Sequence, residues 1–277
     1  MTARELLGPA AAELGLAGCP SPQVDAEWLL AHALGVTRTE LYADGDHALT
    51  AAEQEGFREL VARRAQREPL AYVLGEWGFR RLTLRVDSRV LIPRPETESL
   101  VERCLTLLEG MPEARVLDIG VGSGAIALAI ADESHSACIV ATDSSAGALA
   151  VADENRRRTG LTERVELVEG ELFAGLEGPF DLVVSNPPYV APEEIDELEP
   201  EVARYEPREA LVSCGATEAI AEQARLRLTP GGSLVLETGD GKAGGVAKLL
   251  TGLGYEEVSI GEDLAGRERV VDGRTPR

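Results

Sequence analysis

The sequence has 277 residues, 44% of them hydrophobic and 27% charged, which is enough for one large α/β domain and a smaller companion. Its formal net charge of −21 makes extended, non-specific binding to a phosphate backbone unfavourable. No segment approaches the ~20 apolar residues of a membrane span, and Arg4, Glu5 and Glu13 interrupt any signal-peptide core, so we expect a cytoplasmic protein.

The four cysteines, Cys19, Cys104, Cys138 and Cys214, are scattered without CxxC spacing. The three histidines do not cluster with a cysteine or with a pair of acids. We therefore expect buried free thiols, with neither a disulfide framework nor a bound metal. A nucleophilic cysteine is the weaker alternative, because no partnered histidine is in view.

Residues 1 to 70 are predicted to form a small helical domain. We expect helices over residues 3–14, 21–34 and 50–67, with a short turn over 37–42 and a loop over 43–46. Thr50 followed by Glu53 is the signature of a capping box. The domain carries no catalytic constellation, so we assign it to substrate recognition or support.

A linker over residues 71–92 is predicted to follow this domain. Pro69 ends the helical pattern, and we expect Tyr72-Val-Leu74 to pair with residues 79–86 as a β-hairpin. The hairpin would join the helical domain to the rest of the chain.

Charged residues around the linker allow two interpretations. From Arg58 to Arg94 there are nine arginines and four acids, a net charge of 9 − 4 = +5. These arginines either lie on solvated faces of a helix and hairpin or contact a substrate. Similarly, Arg94, Glu96 and Glu98 either face a substrate or cap a helix that begins at Thr97.

From Arg115 the sequence alternates between short apolar strands and helices. Strands are expected over residues 116–119, 137–142, 165–168, 180–184, 233–237, 255–260 and 268–271, and helices over 123–131, 146–158, 217–228 and 243–253. This alternation favours a doubly wound, mainly parallel sheet. The last two strands resemble an antiparallel hairpin, and we expect residues 93–277 to form this second domain.

The strand over residues 180–184 stops abruptly at Asn186-Pro187-Pro188-Tyr189. Ligands of open α/β sheets bind outside the carboxyl ends of such strands, so these four residues are predicted to be catalytic. The prolines lack amide hydrogens and restrict the residues before them, which leaves a rigid edge of acceptors beside the Tyr189 ring. Such an edge fits a planar NH2 group, because acceptors on both hydrogens would polarise and orient it. The alternative is a stiff strand-to-loop turn.

A glycine-rich turn, Asp118-Ile-Gly120-Val121-Gly122-Ser123-Gly124, lies between a predicted strand and a predicted helix. Glycines let the backbone approach a ligand closely, and helix amides point at it. The GxGxG spacing differs from the GxGxxG of dinucleotide enzymes. Asp143 ends the next strand, where a carboxylate can bind ribose hydroxyls.

Together the turn and Asp143 resemble the S-adenosylmethionine site of the Rossmann-like methyltransferases. A dinucleotide dehydrogenase is the weaker alternative, since Asn-Pro-Pro-Tyr has no role in hydride transfer. The resemblance places adenine at the loop after the third strand, where Glu171 would accept from the exocyclic amine and Leu172 would pack on the ring. Both residues could equally belong to a plain loop.

Further motifs are spread over nearly the whole chain. They are Pro69-Leu-Ala-Tyr72 with Gly75 and Phe79, Leu91-Ile-Pro-Arg-Pro-Glu-Thr-Glu98, Ser185 to Tyr189, Tyr205-Glu-Pro-Arg208 with Ala210-Leu211, Leu236-Glu237 with Gly239, and Asp263 with Gly266 and Arg269. With the glycine turn, they resemble those of the HemK/PrmC family, the protein glutamine methyltransferases that modify class I peptide chain release factors.

The resemblance implies a Rossmann-like class I methyltransferase sheet, parallel with a terminal antiparallel strand, and a small N-terminal helical bundle. It implies S-adenosylmethionine as cofactor and a class I release factor as partner, methylated on the glutamine of its Gly-Gly-Gln motif. Asn186 and the Pro187 carbonyl would bind that glutamine amide, with Tyr189 lining the slot. Three residues depart from the family pattern: Val121, Glu171 and Lys242 stand where Thr, Asp and often Gln are usual.

Two other functions compete with this one. A methyltransferase acting on the N6 amine of adenine in DNA or RNA would use the same Asn-Pro-Pro-Tyr pocket. The acidity of the chain and the lack of an evident nucleic-acid-binding domain weigh against it, so we expect no stable nucleic-acid partner. A catalytically inactive scaffold would need a damaged pocket, whereas Gly122, Asp143 and Asn186 are all present.

Overall fold

The computed structural model describes residues 1–43, 45 and 48–277, and these residues divide into two units. The first unit comprises Met1–Glu76 and Leu198–Tyr205, and the second comprises Trp77–Glu197 and Glu206–Arg277. Asp44 and Asp46, two of the four residues of the loop predicted over 43–46, lie outside the described residues, as does His47. In the described part of the chain, no helix is long and apolar enough to cross a membrane.

The first unit is built from helices around an apolar core. Its first five helices are α1 (Ala3–Leu16), α2 (Pro22–Leu34), α3 (Arg38–Ala43), α4 (Ala51–Ala65) and α5 (Leu70–Leu74). Leu14, Leu29 and Leu30 are fully buried at its centre. The predicted capping box is confirmed, because the Thr50 hydroxyl accepts from the Glu53 amide and the Glu53 carboxylate accepts from the Thr50 amide.

The prediction that Tyr72-Val-Leu74 forms a hairpin strand is wrong, because these residues belong to helix α5. A short apolar run is ambiguous between helix and strand, and here Tyr72 and Val73 are buried as helical residues. Gly75, in the left-handed conformation with φ of 74°, ends the helix. The hairpin that follows is shorter than predicted and consists of β1 (Glu76–Phe79) and β2 (Leu82–Arg85).

The rest of the chain contains seven more strands and six more α-helices among the described residues. They are α6 (Thr97–Leu108), β3 (Arg115–Ile119), α7 (Ala125–Glu133), β4 (Cys138–Asp143), α8 (Ala146–Arg158), β5 (Val165–Glu169), β6 (Phe180–Ser185), α9 (Pro200–Tyr205), α10 (Ala216–Ala224), β7 (Leu228–Glu237), α11 (Ala243–Gly252), β8 (Glu256–Glu262) and β9 (Glu268–Arg274).

The seven strands form one sheet in the order β5-β4-β3-β6-β7-β9-β8. All neighbours are parallel except β9, which pairs antiparallel with β7 and β8, so the predicted parallel sheet with a terminal antiparallel hairpin is confirmed. One apolar core lies on each side of this sheet. The strand order reverses at β3, which is where open α/β sheets bind ligands.

Helix α9 belongs to the first unit, although most of the neighbouring sequence belongs to the second. Its Glu201 carboxylate accepts from Arg64 Nη1 at 2.8 Å and from Arg67 Nη2 at 2.5 Å. Arg64 also donates to Asp25 at 2.8 Å, and Arg64, Asp25 and Glu201 are all buried. The sequence analysis did not predict α9 or this buried ion-pair network.

Two boundary predictions near β7 are wrong. The helix predicted over residues 217–228 ends at Ala224, and the strand predicted from residue 233 begins at Leu228. Gly231 and Gly232 look like a loop in the sequence but lie within β7, where the pairing with β6 is irregular. Glycine inside a strand commonly marks such an irregularity.

Of the nine arginines of residues 58–94, five have side chains that are 45–72% exposed, as solvated faces require: Arg58, Arg63, Arg81, Arg85 and Arg89. Contact with a substrate stays a prediction. Each of the nine lies within 4 Å of an acidic side chain. Their acidic partners come largely from outside the segment, which is why the local charge count did not indicate them.

The expectation of buried free thiols holds for Cys19 and Cys104 but not for Cys138 and Cys214, which are exposed. Burial raises the pKa of the Cys104 thiol well above its ordinary value. All four thiols are free.

Candidate active site

A cavity of about 630 Å³ lies at the carboxyl edge of the sheet. Ile119 pairs with Thr142 on one side and with Ser185 on the other, so the residues that follow β3, β4 and β6 meet at this edge. Ten of the twelve predicted site residues line the cavity: Gly120, Val121, Gly122, Ser123, Asp143, Glu171, Leu172, Asn186, Pro187 and Pro188. Gly124 and Tyr189 do not.

The glycine turn is fixed by backbone hydrogen bonds and leaves its surface open. The amides of Gly120 and Val121 both donate to the Thr142 carbonyl at 2.8 Å. Gly122 has a φ of 52°, and a Cβ placed on it would meet no atom within 4 Å. Since Gly122 lines the cavity, that open space is available to a ligand that approaches the backbone closely.

Gly124 has a packing role instead. It is the N-cap of α7 with a φ of 88°, and a Cβ there would lie 2.9 Å from the Leu128 side chain. The third glycine therefore lets the turn pack closely against Leu128 of α7 and Ala152 of α8, and it does not line the cavity.

Asp143 faces the cavity from the end of β4 with both carboxylate oxygens anchored. Oδ2 accepts from the Gly122 amide at 3.0 Å and Oδ1 from the Ser145 amide at 2.9 Å. A carboxylate oxygen has capacity for more than one hydrogen bond, so each can also accept from a ligand hydroxyl. The half-buried Asp143 side chain thus fits the predicted binding of a vicinal diol.

Asp118, the acid two residues before the first glycine, does not line the cavity. It is fully buried, and its Oδ2 accepts from the Ala127 amide in the first turn of α7 at 3.1 Å, so it satisfies a helix amide that Gly124 cannot cap. Its Oδ1 has no hydrogen-bond partner among the described residues. Burial raises the pKa of Asp118 to about 8, although the Ala127 amide lowers it. The sequence indicated an acid here but not this helix-capping role.

Glu171 and Leu172 reach the cavity from the loop after β5. Leu172 has a φ of 52°, which is uncommon for a residue with a side chain. Its carbonyl accepts from the Thr142 hydroxyl at 3.3 Å, which helps to hold this conformation. The strained backbone presents the Leu172 side chain to the cavity.

Asn186 follows β6 at the reversal point of the sheet. Ser185 ends the strand, and its hydroxyl donates to the Ile119 carbonyl at 2.7 Å. The Asn186 Nδ2 donates to Thr97 Oγ1 at a long 3.5 Å. Asn186 lines the cavity next to Pro187 and Pro188.

Tyr189 lines a second cavity of about 420 Å³ together with Glu237 and Lys242. Its ring packs on Gly239, where a Cβ would lie 3.0 Å from it. Burial raises the pKa of Tyr189 to about 12. Lys242 Nζ donates to the Tyr189 carbonyl at 2.5 Å. Lys242, which departs from the family pattern, thus holds the last residue of the Asn-Pro-Pro-Tyr segment in place.

Arg94 lines the first cavity and pairs with buried Glu206, its Nη2 lying 2.6 Å from Oε2. Burial raises the pKa of Glu206, and the Arg94 charge opposes this shift. Glu98 accepts from the Arg80 backbone amide, and Glu96 makes no side-chain capping bond at the start of α6. Arg94 is therefore the one of these three charged residues that lines this cavity.

Comparison with known proteins identifies related sequences for both units. Residues 5–75 match a family model described as the PrmC N-terminal domain, and residues 98–203 match the methyltransferase small domain. The chain is 43% identical to the release factor glutamine methyltransferase of Rhodopirellula baltica over 92% of its own length and 90% of that protein. It is 46% identical to the enzyme of the same name in Xylella fastidiosa, over 92% and 94% of the two chains.

The fold of the second unit also occurs in solved structures of low sequence similarity. One is a 16S rRNA N2 methyltransferase of T. thermophilus in complex with AdoMet and guanosine. It matches with a TM-score of 0.54 and 18% identity, over 72% of this chain and 49% of that one. At this identity the likeness shows a shared fold.

Proposed function

The chain belongs to the family of release factor glutamine methyltransferases, and from this membership we propose that it methylates the Gly-Gly-Gln glutamine of class I peptide chain release factors on the side-chain amide nitrogen. The observation that carries the proposal is that Gly122, Asp143 and Asn186 line one cavity, so a nucleotide-like cofactor and an amide can meet there.

The cofactor assigned to the cavity is S-adenosylmethionine. The exposed backbone at Gly120 and Gly122 would lie against its methionine part, and the Asp143 carboxylate would accept from its ribose hydroxyls. Glu171 and Leu172 would bind adenine, by hydrogen bonding and by packing respectively. When bound, this cofactor supplies an electrophilic methyl group on a sulfonium sulfur.

Asn186 and Pro187 act on the acceptor amide. An amide nitrogen is a poor nucleophile because its lone pair is delocalised into the carbonyl. Asn186 Oδ1 and the Pro187 carbonyl would accept from its two hydrogens, which orients the nitrogen and makes it more electron-rich. Pro188 cannot donate a competing amide hydrogen, so the edge offers acceptors only.

The helical first unit is assigned to recognition of the release factor, and residues 93–277 to catalysis. A glutamine side chain would have to reach Asn186 and Pro187 inside the cavity, so small neighbours such as two glycines suit it. An isolated peptide would pay the full entropy of ordering its loop and would lack contacts to the first unit. Intact release factor is therefore expected to be a much better substrate than the peptide.

The test of the proposal is methyl transfer from labelled cofactor to purified release factor, compared with DNA and ribosomal RNA. Label in the release factor alone supports the proposal. Label in adenine, with the protein unmodified, would instead assign the cavity to a nucleic-acid methyltransferase.

A further inference from the structure

Glu237 is a buried acid that the reaction outlined above does not use. It is the last residue of β7 and is only 1% exposed. Neither of its carboxylate oxygens has a hydrogen bond of good geometry among the residues described. Burying a carboxylate without such partners costs folding free energy, which points to a role for Glu237 at this position.

The sheet places Glu237 beside Asn186. Ser185 on β6 pairs with Leu236 on the parallel strand β7, so the next residues, Asn186 and Glu237, lie side by side at the carboxyl ends of these strands. Asn186 lines the first cavity and Glu237 lines the second. The two side chains therefore meet between the cavities.

Thr97 lies next to Asn186 and Glu237. It is buried at the start of α6, and its hydroxyl oxygen lies 3.5 Å from Asn186 Nδ2. The Thr97 hydroxyl and the Asn186 amide both lie close enough to Glu237 to lower the pKa of its carboxyl group. An ionised carboxylate only accepts, and these two groups are the donors that reach it.

This arrangement decides which end of the Asn186 amide faces the first cavity. If Nδ2 is directed at Thr97 and Glu237, Oδ1 is left for the cavity, where it can accept from the NH2 group of a glutamine side chain. With the opposite orientation, the Asn186 NH2 would oppose the substrate NH2, and Oδ1 would face the carboxylate.

We propose that Glu237 is a positioning residue, whose carboxylate, with Thr97, holds the nitrogen of the Asn186 side chain away from the cavity and so presents Oδ1 to the substrate amide. This inference rests on the proposed function of the site. Glu237 itself does not touch the substrate in this scheme.

The proposal implies that protonation of Glu237 would weaken catalysis. Burial raises the pKa of Glu237 to about 7, with hydrogen bonding by Thr97 opposing the shift. Below that pH the carboxyl group gains an O–H that can donate to Asn186 Oδ1 and favour the inactive orientation. The other charged or titratable groups that face Glu237 or line its cavity are Glu96, Tyr189, Arg269, Glu218 and Lys242.

The test compares wild type, Glu237→Gln and the control Asp272→Asn in methylation of release factor between pH 6 and 8.5. Asp272 is equally buried in the same sheet but pairs with Arg103. For wild type we expect kcat to rise with pH. The apparent pKa of this rise should be close to that of Glu237, about 7. For Glu237→Gln we expect kcat to fall roughly 10- to 100-fold and to lose this pH dependence, with KM and cofactor affinity little changed. The control should keep the wild-type profile.

A Glu237→Gln variant with the wild-type kcat and pH profile would overturn the proposal while leaving the proposed function intact. Failure of wild type to methylate any release factor would instead remove the proposed function and this inference with it. If Glu237→Gln does not fold, the wild-type protein still gives a test by nuclear magnetic resonance. The side-chain NH2 signal that disappears in Asn186→Ala should shift with a midpoint near that of Glu237, about 7, and a signal that does not titrate would also overturn the proposal.

Discussion

The backbone amide of Gly122 donates to Asp143 Oδ2 at 3.0 Å, although Gly122 follows β3 and Asp143 is the last residue of β4. The bond joins the glycine turn to the Asp143 carboxylate, and both residues line the cavity. The position of Asp143 thus depends on the same turn that exposes the Gly122 backbone.

Replacing Asp143 by alanine is expected to weaken binding of S-adenosylmethionine about tenfold or more, because charge-assisted hydrogen bonds to the ribose are lost. Asp153→Ala is the control, since Asp153 pairs with Arg156 on α8, away from the cavity. Isothermal titration calorimetry measures both affinities. Equal cofactor affinity in Asp143→Ala and wild type would show that Asp143 does not bind the cofactor.

Asn186→Ala should abolish turnover but leave cofactor affinity within a few-fold of wild type. The asparagine orients the acceptor amide, and such positioning accounts for several kcal/mol of a barrier. Asn186→Asp should also be slow, because a charge near the sulfonium stabilises the ground state as well as the transition state. Single-turnover rates with release factor give the comparison. A near-normal rate in Asn186→Ala would mean that the segment is only a stiff turn.

Asp118 should make the protein less stable as the pH rises. Its pKa is about 8 in the folded protein and lower in the unfolded chain, so the folded state holds a proton that the unfolded state loses between about 4 and 8. Asp118→Asn keeps the acceptor for the Ala127 amide without the charge. We expect its free energy of unfolding, relative to wild type, to increase from pH 5 to pH 8.

Urea unfolding at several pH values tests this expectation. Asp118→Ala is the matched variant, because it loses the capping bond and should be less stable than Asp118→Asn at every pH, by about 1 kcal/mol. A constant difference between Asp118→Asn and wild type across this range would contradict the raised pKa.

Removing the charge of Glu201 should destabilise the helical first unit. Arg64 and Arg67 both donate to this carboxylate, and breaking a buried ion pair from one side costs roughly 3–5 kcal/mol. Glu201→Gln is therefore expected to lower the free energy of unfolding by an amount of this order. Glu197→Gln, at a neighbouring exposed acid, should have little effect. Equal stability of the two variants would show that the network adds nothing.

Much of the second unit could be predicted from the sequence because its signals are local. Strand β6, for example, contains the unbroken apolar run Leu182-Val183-Val184, which is typical of a parallel strand buried on both faces. The turns after such strands contain residue types that are expected only where a ligand binds or where the chain bends sharply. The common edge of Gly120, Asp143 and Asn186 then follows from parallel strand alternation.

The remaining features depend on residues that are distant in the sequence. Whether Val73 lies in a strand or a helix is decided by the apolar surface it packs on, and that surface comes from other helices. Likewise, the sequence does not indicate that Glu237 lies next to Asn186, because this follows only from the pairing of β7 with β6. The partners of the arginines in residues 58–94 are hidden for the same reason.

The measurement that tests the central claim most directly is mass spectrometry of a class I release factor after incubation with this protein and S-adenosylmethionine. The account predicts one added methyl group on the glutamine of the Gly-Gly-Gln motif, and none with Asn186→Ala. An unmodified release factor, with methylated adenine in nucleic acid present in the same reaction, would contradict it.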